Sequence, residues 1–247
     1  MPRCTLIAEL ATNHGGDLAL ALDMVAAAAD AGADIVKTQG YQIANLPRSD
    51  PQYDWFAKSE LSCAAHEALM DACAARGIRY LSTAYTVSDL KRLQALGLRM
   101  VKIGSGEGRD DAFVEAACQF FTVYVSLPWG ARARDAARGL LLRGGSVVPT
   151  DRHLTWLGTV PLYPAPIETY ALVAQQDGYS DHHVGIDIAR LAIARGATVL
   201  EKHFHLVGLG RNQPWNMTVT DLAILRAWAE TCQTAMSGTR FQERWRP

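Results

Sequence analysis

Short runs of consecutive apolar residues alternate along this chain with longer stretches in which apolar positions recur every three to four residues. Runs of the first kind read as buried strands: Thr5–Leu10 (TLIAEL), Asp34–Gln39 (DIVKTQ), Arg79–Thr83 (RYLST), Arg99–Gly104 (RMVKIG), Phe121–Ser126 (FTVYVS), Leu154–Thr159 (LTWLGT), Gly178–Asp181 and Thr198–His203 (TVLEKH). Stretches of the second kind predict helices over Asp17–Ala31, Cys63–Arg76, Val87–Leu96, Asp110–Cys118, Arg132–Leu142, Ile167–Gln175, Val184–Arg195 and Thr220–Met236. Asp17 has the chemistry of an N-cap, and Gly32, Gly77, Gly97 and Gly196 stand where helices should stop. Gly40–Ser62, with Pro47 and Pro51, reads as a long loop, and so does Leu206–Val219.

Strand-then-helix units of roughly 30 residues predict a parallel sheet covered by helices, and eight of them fit a closed (β/α)8 TIM barrel. The alternative is an open doubly wound sheet. It is disfavoured because no GxGxxG follows the first strand. We expect one domain over residues 1–237 and a tail over 238–247.

Composition removes several function classes. With 247 residues, 49% of them hydrophobic, the chain can fill a large core and is not a disordered protein. Lys+Arg 24 against Asp+Glu 25 leaves a net charge of -1, which gives no global attraction to nucleic acid or anionic membrane. Five cysteines without a CxxC pair argue against a disulfide framework and fit reduced thiols in a cytoplasm. The opening MPRCTLIAEL does not read as a signal peptide, and no apolar run is long enough to span a bilayer.

The chemistry gathers at predicted strand ends, which in such a barrel face the active-site mouth. They carry Glu9, Lys37 with Gln39, Ser82 with Thr83, Lys102 with Ser105, Ser126, Asp181 with His182, and Glu201 with His203; Tyr163 follows the sixth strand. Lys37 and Lys102 would repel each other in one cavity unless an anion joined them. The amides of the Gly104–Ser105–Gly106 turn can face the same anion. A phosphate or phosphate-carboxylate ligand satisfies both features; an imine-forming lysine, or a Lys37–Glu9 ion pair, are the other readings. His182 and His203 end adjacent strands and suit a divalent transition metal, with His183 and His205 as competing neighbours. Glu107 beside an anion site is suited to general acid–base work. Structural salt bridges at the rim are the non-functional alternative for all these groups.

Taken in order, the stretches IAELATNHGGDLALAL, AGADIVKTQ, YLSTAY, VKIGSGE, YPAP, GYSDHHVGIDIA and GATVLEKHF resemble the catalytic barrel of the sialic acid synthase family, from Ile7 to about Met236. The resemblance implies condensation of phosphoenolpyruvate with an aldehyde or open-chain sugar, giving a 2-keto-3-deoxy acid and phosphate. It implies phosphoenolpyruvate contacts from Lys37, Thr83, Lys102, Ser105, Ser126 and Ser180. It implies a manganese-type ion on His182 and His203, with Mg2+ or Co2+ as substitutes, and acceptor contacts from Glu9, Gln39, Glu107 and Tyr163, Glu107 with a catalytic part. It also implies a homodimer.

Departures from the family pattern fall mostly on the acceptor side. The antifreeze-like domain that usually follows the barrel has no counterpart before Pro247. Pro161 replaces a commonly polar residue, which predicts the loss of one phosphoenolpyruvate contact. Gln213–Pro214–Trp215–Asn216 stands where a GPD-type stretch usually supplies a carboxylate, and the Gly40–Ser62 loop is short. These changes predict an altered acceptor, flatter or more apolar near Trp215.

Overall fold

The computed structural model describes residues 3–128, 154–173 and 176–237. Eight parallel strands close into a barrel in sequence order: β1 Thr5–Ala11, β2 Ile35–Gln39, β3 Arg79–Ala84, β4 Met100–Ile103, β5 Thr122–Pro128, β6 Leu154–Thr159, β7 Gly178–Asp181 and β8 Val199–His203. β8 pairs with β1, so no sheet edge is left open. The helices are α1 Leu18–Asp30, α2 Tyr53–Ser59, α3 Cys63–Ala75, α4 Val87–Ala95, α5 Asp111–Cys118, α6 Asp187–Ala194 and α7 Val219–Ser237. Asp17 caps α1 as expected, accepting from the amides of Ala19 and Leu20 at 2.9 and 3.1 Å.

Three expectations need correction. Gly40–Ser62 is not irregular throughout: it holds a 3-10 turn at Ile43–Asn45 and helix α2. Its anchor is Tyr41, whose ring meets Phe56 edge-on and whose hydroxyl donates to the Phe56 carbonyl at 2.7 Å. A seven-residue helix is too short to show a helical period in sequence. The Ile167 helix is 3-10 and ends at Leu172. The predicted helix from Val184 starts only at Asp187, because Gly185 has φ +71, outside the right-handed helical region. The helix expected near Arg132–Leu142, and the tail, lie outside the described residues.

The side-chain period of two along each strand explains how this barrel builds a site. One buried layer inside the barrel is apolar: Ile7, Ile35, Leu81, Tyr124, Leu157 and Val199. Two residues further along each strand the same face carries Glu9, Lys37, Thr83, Ser126, Thr159 and Glu201. Another two-residue step reaches Gln39 and His203. The opposite parity packs against the helices in a larger apolar core that includes Leu6, Ala8, Val36, Val101, Val123 and Leu200. Gly178 must lack a side chain, because a Cβ there would lie 2.4 Å from the Val199 carbonyl and 2.5 Å from Leu157.

Candidate active site

The twelve residues to which the resemblance gave a catalytic, binding or metal role line one cavity of about 230 Å³ at the carboxyl ends of the strands. They are Glu9, Lys37, Gln39, Thr83, Lys102, Ser105, Glu107, Ser126, Tyr163, Ser180, His182 and His203. Glu201, counted among the strand ends without a role of its own, lines it too, and so do Tyr85 and Thr159, which the strand-end rule missed. Tyr85 and Thr159 sit at strand ends, so the parity of their strands was the available signal. Asp181 was grouped with the mouth and is not there. It points to the outer side of the barrel, where its carboxylate accepts from Lys202 Nζ at 2.8 Å and from His183 Nδ1 at 2.8 Å. One residue of strand parity decides this. His183 is thereby removed from competition with His182. His205 is half-buried and its amide donates to the Met217 carbonyl.

The charged groups interlock. Lys37 Nζ pairs with Glu9, lies 3.8 Å from Glu201 and donates to Thr83 Oγ1 at 2.9 Å. Burial pulls Lys37 down, but the carboxylates of Glu201 and Glu9 outweigh it and hold the amine above the ordinary lysine range. Glu9 is pushed up to about 7 by burial, with Lys37 opposing the rise and Glu201 adding to it. Lys102 Nζ donates to Ser126 Oγ at 2.7 Å and to the Ile103 carbonyl at 2.9 Å. Burial lowers it to about 8, with Glu201 resisting and Lys37 assisting. Burial would raise Glu201, yet Lys102 and Lys37 hold it below its usual range, and Ser180 Oγ donates to Oε1 at 3.1 Å. The Lys37–Glu9 pair weighed from sequence is therefore present, and the two lysines are kept together by two carboxylates. Glu201 Oε2 and Glu9 Oε1 accept no hydrogen bond from the described residues, though both are buried. Unmet acceptors at this depth are costly in a purely structural cluster and natural in one that receives a hydroxylated ligand.

Around the lysines, the Gly104–Ser105–Gly106 turn borders the cavity. Gly104 leaves room for the neighbouring carboxylate, since a Cβ there would lie 2.8 Å from Glu107 Oε2. Pro161 is exposed and is not on the wall; Thr159, two residues earlier, is.

The imidazoles of His182 and His203 stand with ring centres 5.6 Å apart. Burial lowers His182 to about 4 and takes His203 well below its ordinary value, so both are neutral near pH 7. His182 Nδ1 donates to the Val160 carbonyl at 2.8 Å, which leaves the Nε2 lone pair free. Two neutral imidazoles, one with its tautomer fixed by a backbone carbonyl, make a donor set that fits a divalent metal. Among the described residues no three His, Cys, Asp or Glu side chains form a ready-made cage. A cation held by these histidines would therefore complete its shell with oxygen from substrate or water.

Gln39, Tyr85, Tyr163 and His203 also line a second, larger chamber of about 600 Å³, so the two spaces adjoin. Tyr163, half-exposed, stands 4.0 Å from the His182 ring and 5.6 Å from Trp215, centre to centre. Trp215 thus forms wall of the larger chamber.

The profile of the NeuB family matches residues 24–240. This chain belongs to the NeuB family. It is 32% identical over 232 residues to the N,N'-diacetyllegionaminic acid synthase of Campylobacter jejuni, covering 83% of this chain and 69% of that protein. The N-acetylneuraminate-9-phosphate synthase of Homo sapiens is 25% identical over 224 residues, covering 82% of this chain and 62% of the relative. The chain thus spans roughly two thirds of the length of the curated NeuB relatives it matches. Among solved structures, the sialic acid synthetase of Leptospira borgpetersenii in complex with citrate superposes with a TM-score of 0.82 at 25% identity, covering 96% of this chain and 85% of that one. No described helix is long and apolar enough to cross a membrane.

Proposed function

We propose that this NeuB-family barrel condenses phosphoenolpyruvate with an aldehyde or open-chain sugar, giving a 2-keto-3-deoxy acid and inorganic phosphate. The observation that carries the reading is the pair of adjoining spaces. One is small and polar, with hydroxyls and the Gly104–Gly106 turn around two buried lysines and the carboxylates that face them. The other is sugar-sized and polar-aromatic, and His203 lines both, with His182 beside it in the smaller one.

Lys37 and Lys102 offset the phosphate and carboxylate charges of the donor inside a site shielded from water, where such contacts are strongest. Thr83, Ser105, Ser126 and Ser180 donate hydroxyls to the same oxygens. The enolpyruvyl C3 forms a bond to the aldehyde carbon, water adds at C2, and the C2–O bond to phosphate breaks. His182 and His203 would hold a divalent metal, manganese in this reading, which would supply Lewis-acid polarisation of the aldehyde oxygen. Glu107, held at the cavity wall next to Gly104, transfers the proton between water and the reacting oxygens. Glu9, Gln39 and Tyr163 orient the acceptor. The same reading includes a homodimer working in the cytoplasm.

A second reading has one specific observation behind it: burial lowers Lys102 to about 8, within reach of imine chemistry. Borohydride trapping with a carbonyl substrate separates the two, because only an imine leaves a covalent adduct on Lys102.

The test is phosphate release from phosphoenolpyruvate with manganese across hexosamines, pentoses and small aldehydes, with the product weighed by mass spectrometry. A product heavier than the acceptor by the pyruvate unit is expected. No phosphate release with any acceptor, together with no calorimetric binding of phosphoenolpyruvate or manganese, overturns the proposal.

A further inference from the structure

The larger chamber carries an electrostatic asymmetry. Among the described residues its wall holds one cation, Arg211, and one carboxylate, Asp89. Asp89 is fully buried and already used. Its Oδ2 accepts from the Tyr85 amide, the Thr86 amide and Thr86 Oγ1, and its Oδ1 accepts from Gln42 Nε2. Arg211 has no carboxylate within ion-pair distance among the described residues. Its guanidinium lies over the Trp55 ring at 5.2 Å and donates from Nη1 to Gln52 Oε1 at 3.2 Å. With the Gln213 amide oxygen turned towards it, Nη2 and Nε donate at 3.3 and 2.7 Å. Three of five N–H groups thus meet neutral oxygens, two remain, and the charge is unopposed.

The position is built. The Arg211 amide donates to the Asn13 carbonyl at 2.8 Å, and Gly210 before it has φ +62. A Cβ on Gly210 would lie 2.0 Å from that same carbonyl, so the loop reaches the chamber only with glycine there. Asn13 is itself pinned by its side-chain amide donating to the Phe204 carbonyl at 2.9 Å. Neutral Gln213 and Trp215 flank Arg211 on the wall. Arg211 borders the chamber and not the small cavity, so it faces the end of an acceptor remote from its aldehyde.

We propose that Arg211 selects an acceptor bearing an anionic group, a phosphate or a carboxylate, at the end away from the aldehyde. This rests on the condensing-synthase reading and names the acceptor class for it. A planar guanidinium braced on an aromatic ring, with N–H groups to spare, recognises such oxyanions in forked geometry.

The experiment compares an N-acetylhexosamine with its 6-phosphate and with the matching 6-carboxylate, in wild type, Arg211→Met and Arg211→Lys. The wild-type kcat/KM is expected to favour at least one anionic acceptor by tenfold or more, mainly through KM, and the two anionic arms tell phosphate from carboxylate. Arg211→Met should collapse that ratio at least tenfold, with Arg211→Lys in between. A structural role for Arg211 lowers all acceptors alike and leaves the ratio standing, which overturns the proposal. So does a wild type that prefers the neutral sugar, and in that case the synthase reading survives. If no acceptor consumes phosphoenolpyruvate, the synthase reading fails. Calorimetric binding of the sugar phosphate against the neutral sugar, in wild type and Arg211→Met, then still decides the role of Arg211.

Discussion

Lys102→Met separates a binding lysine from a structural one. The side chain is 2% exposed, and its amine titrates at about 8 rather than the ordinary 10.5. Keeping it charged at pH 7 therefore costs the fold about 3 kcal/mol, at roughly 1.4 kcal/mol per pH unit. The folded state binds this proton less tightly than the unfolded chain does. Stability from this group thus rises with pH between about 8 and 10.5, and the full penalty is carried below 8. Methionine fills a similar volume without the charge. The losses are the hydrogen bonds to Ser126 and to the Ile103 carbonyl, together about 2 kcal/mol; the attraction for Glu201 is already contained in the lowered value. The balance predicts a variant at least as stable as wild type at pH 7, by about 1 kcal/mol or roughly 2–4 °C in Tm. Its kcat/KM for phosphoenolpyruvate should fall at least ~100-fold, as for loss of a buried charged contact worth several kcal/mol. Urea melts from pH 7 to 10.5 and steady-state kinetics check both halves. A variant that loses more than about 1 kcal/mol while keeping its activity would show Lys102 to be a rim salt-bridge residue, and the reasoning would be wrong.

Three further outcomes follow from the same structure. His66 is fully buried, with Nδ1 2.7 Å from the Tyr80 hydroxyl, and burial lowers it to about 4. The unfolded chain takes up this proton first, so stability should fall by about 3 kcal/mol as pH drops from 6.5 to 4. His66→Gln should remove about one proton from that dependence in acid urea melts, and an unchanged slope would contradict the assignment. Asp181→Asn leaves Lys202 buried without its carboxylate, and a thermal melt should show a loss of about 3–5 kcal/mol. Gly210→Ala pushes a Cβ against the Asn13 carbonyl at a positive φ. Chemical denaturation should show a loss of about 2 kcal/mol or more, with acceptor KM raised; a neutral substitution would mean the loop has room to shift.

Much of this fold was legible because each strand here is buried on both faces and each helix has one apolar stripe. The strand ends could be counted, and with them Glu9, Lys37, Thr83, Lys102, Ser126 and His203. Where legibility failed, the cause was a single step of parity or a short element. Asp181 and His182 are neighbours in sequence, yet one faces the helices and the other the cavity. Helix α2 is shorter than the window that reveals a period. Arg211 lies in an irregular loop, where no periodicity says which way a side chain points; only the Gly210 turn and the Asn13 carbonyl settle that.

The sequence by itself determined the alternation of strand and helix, the count of eight units and the polar residues that end the strands, because these depend on local period and composition. Only the tertiary structure decided that Glu9 and Glu201 hold two lysines in one cavity, that His183 is spent on Asp181, and that Arg211 meets no carboxylate. Those outcomes depend on strand register and on which buried charges face each other, and electrostatic balance at a point in space is fixed by chain segments far apart in sequence.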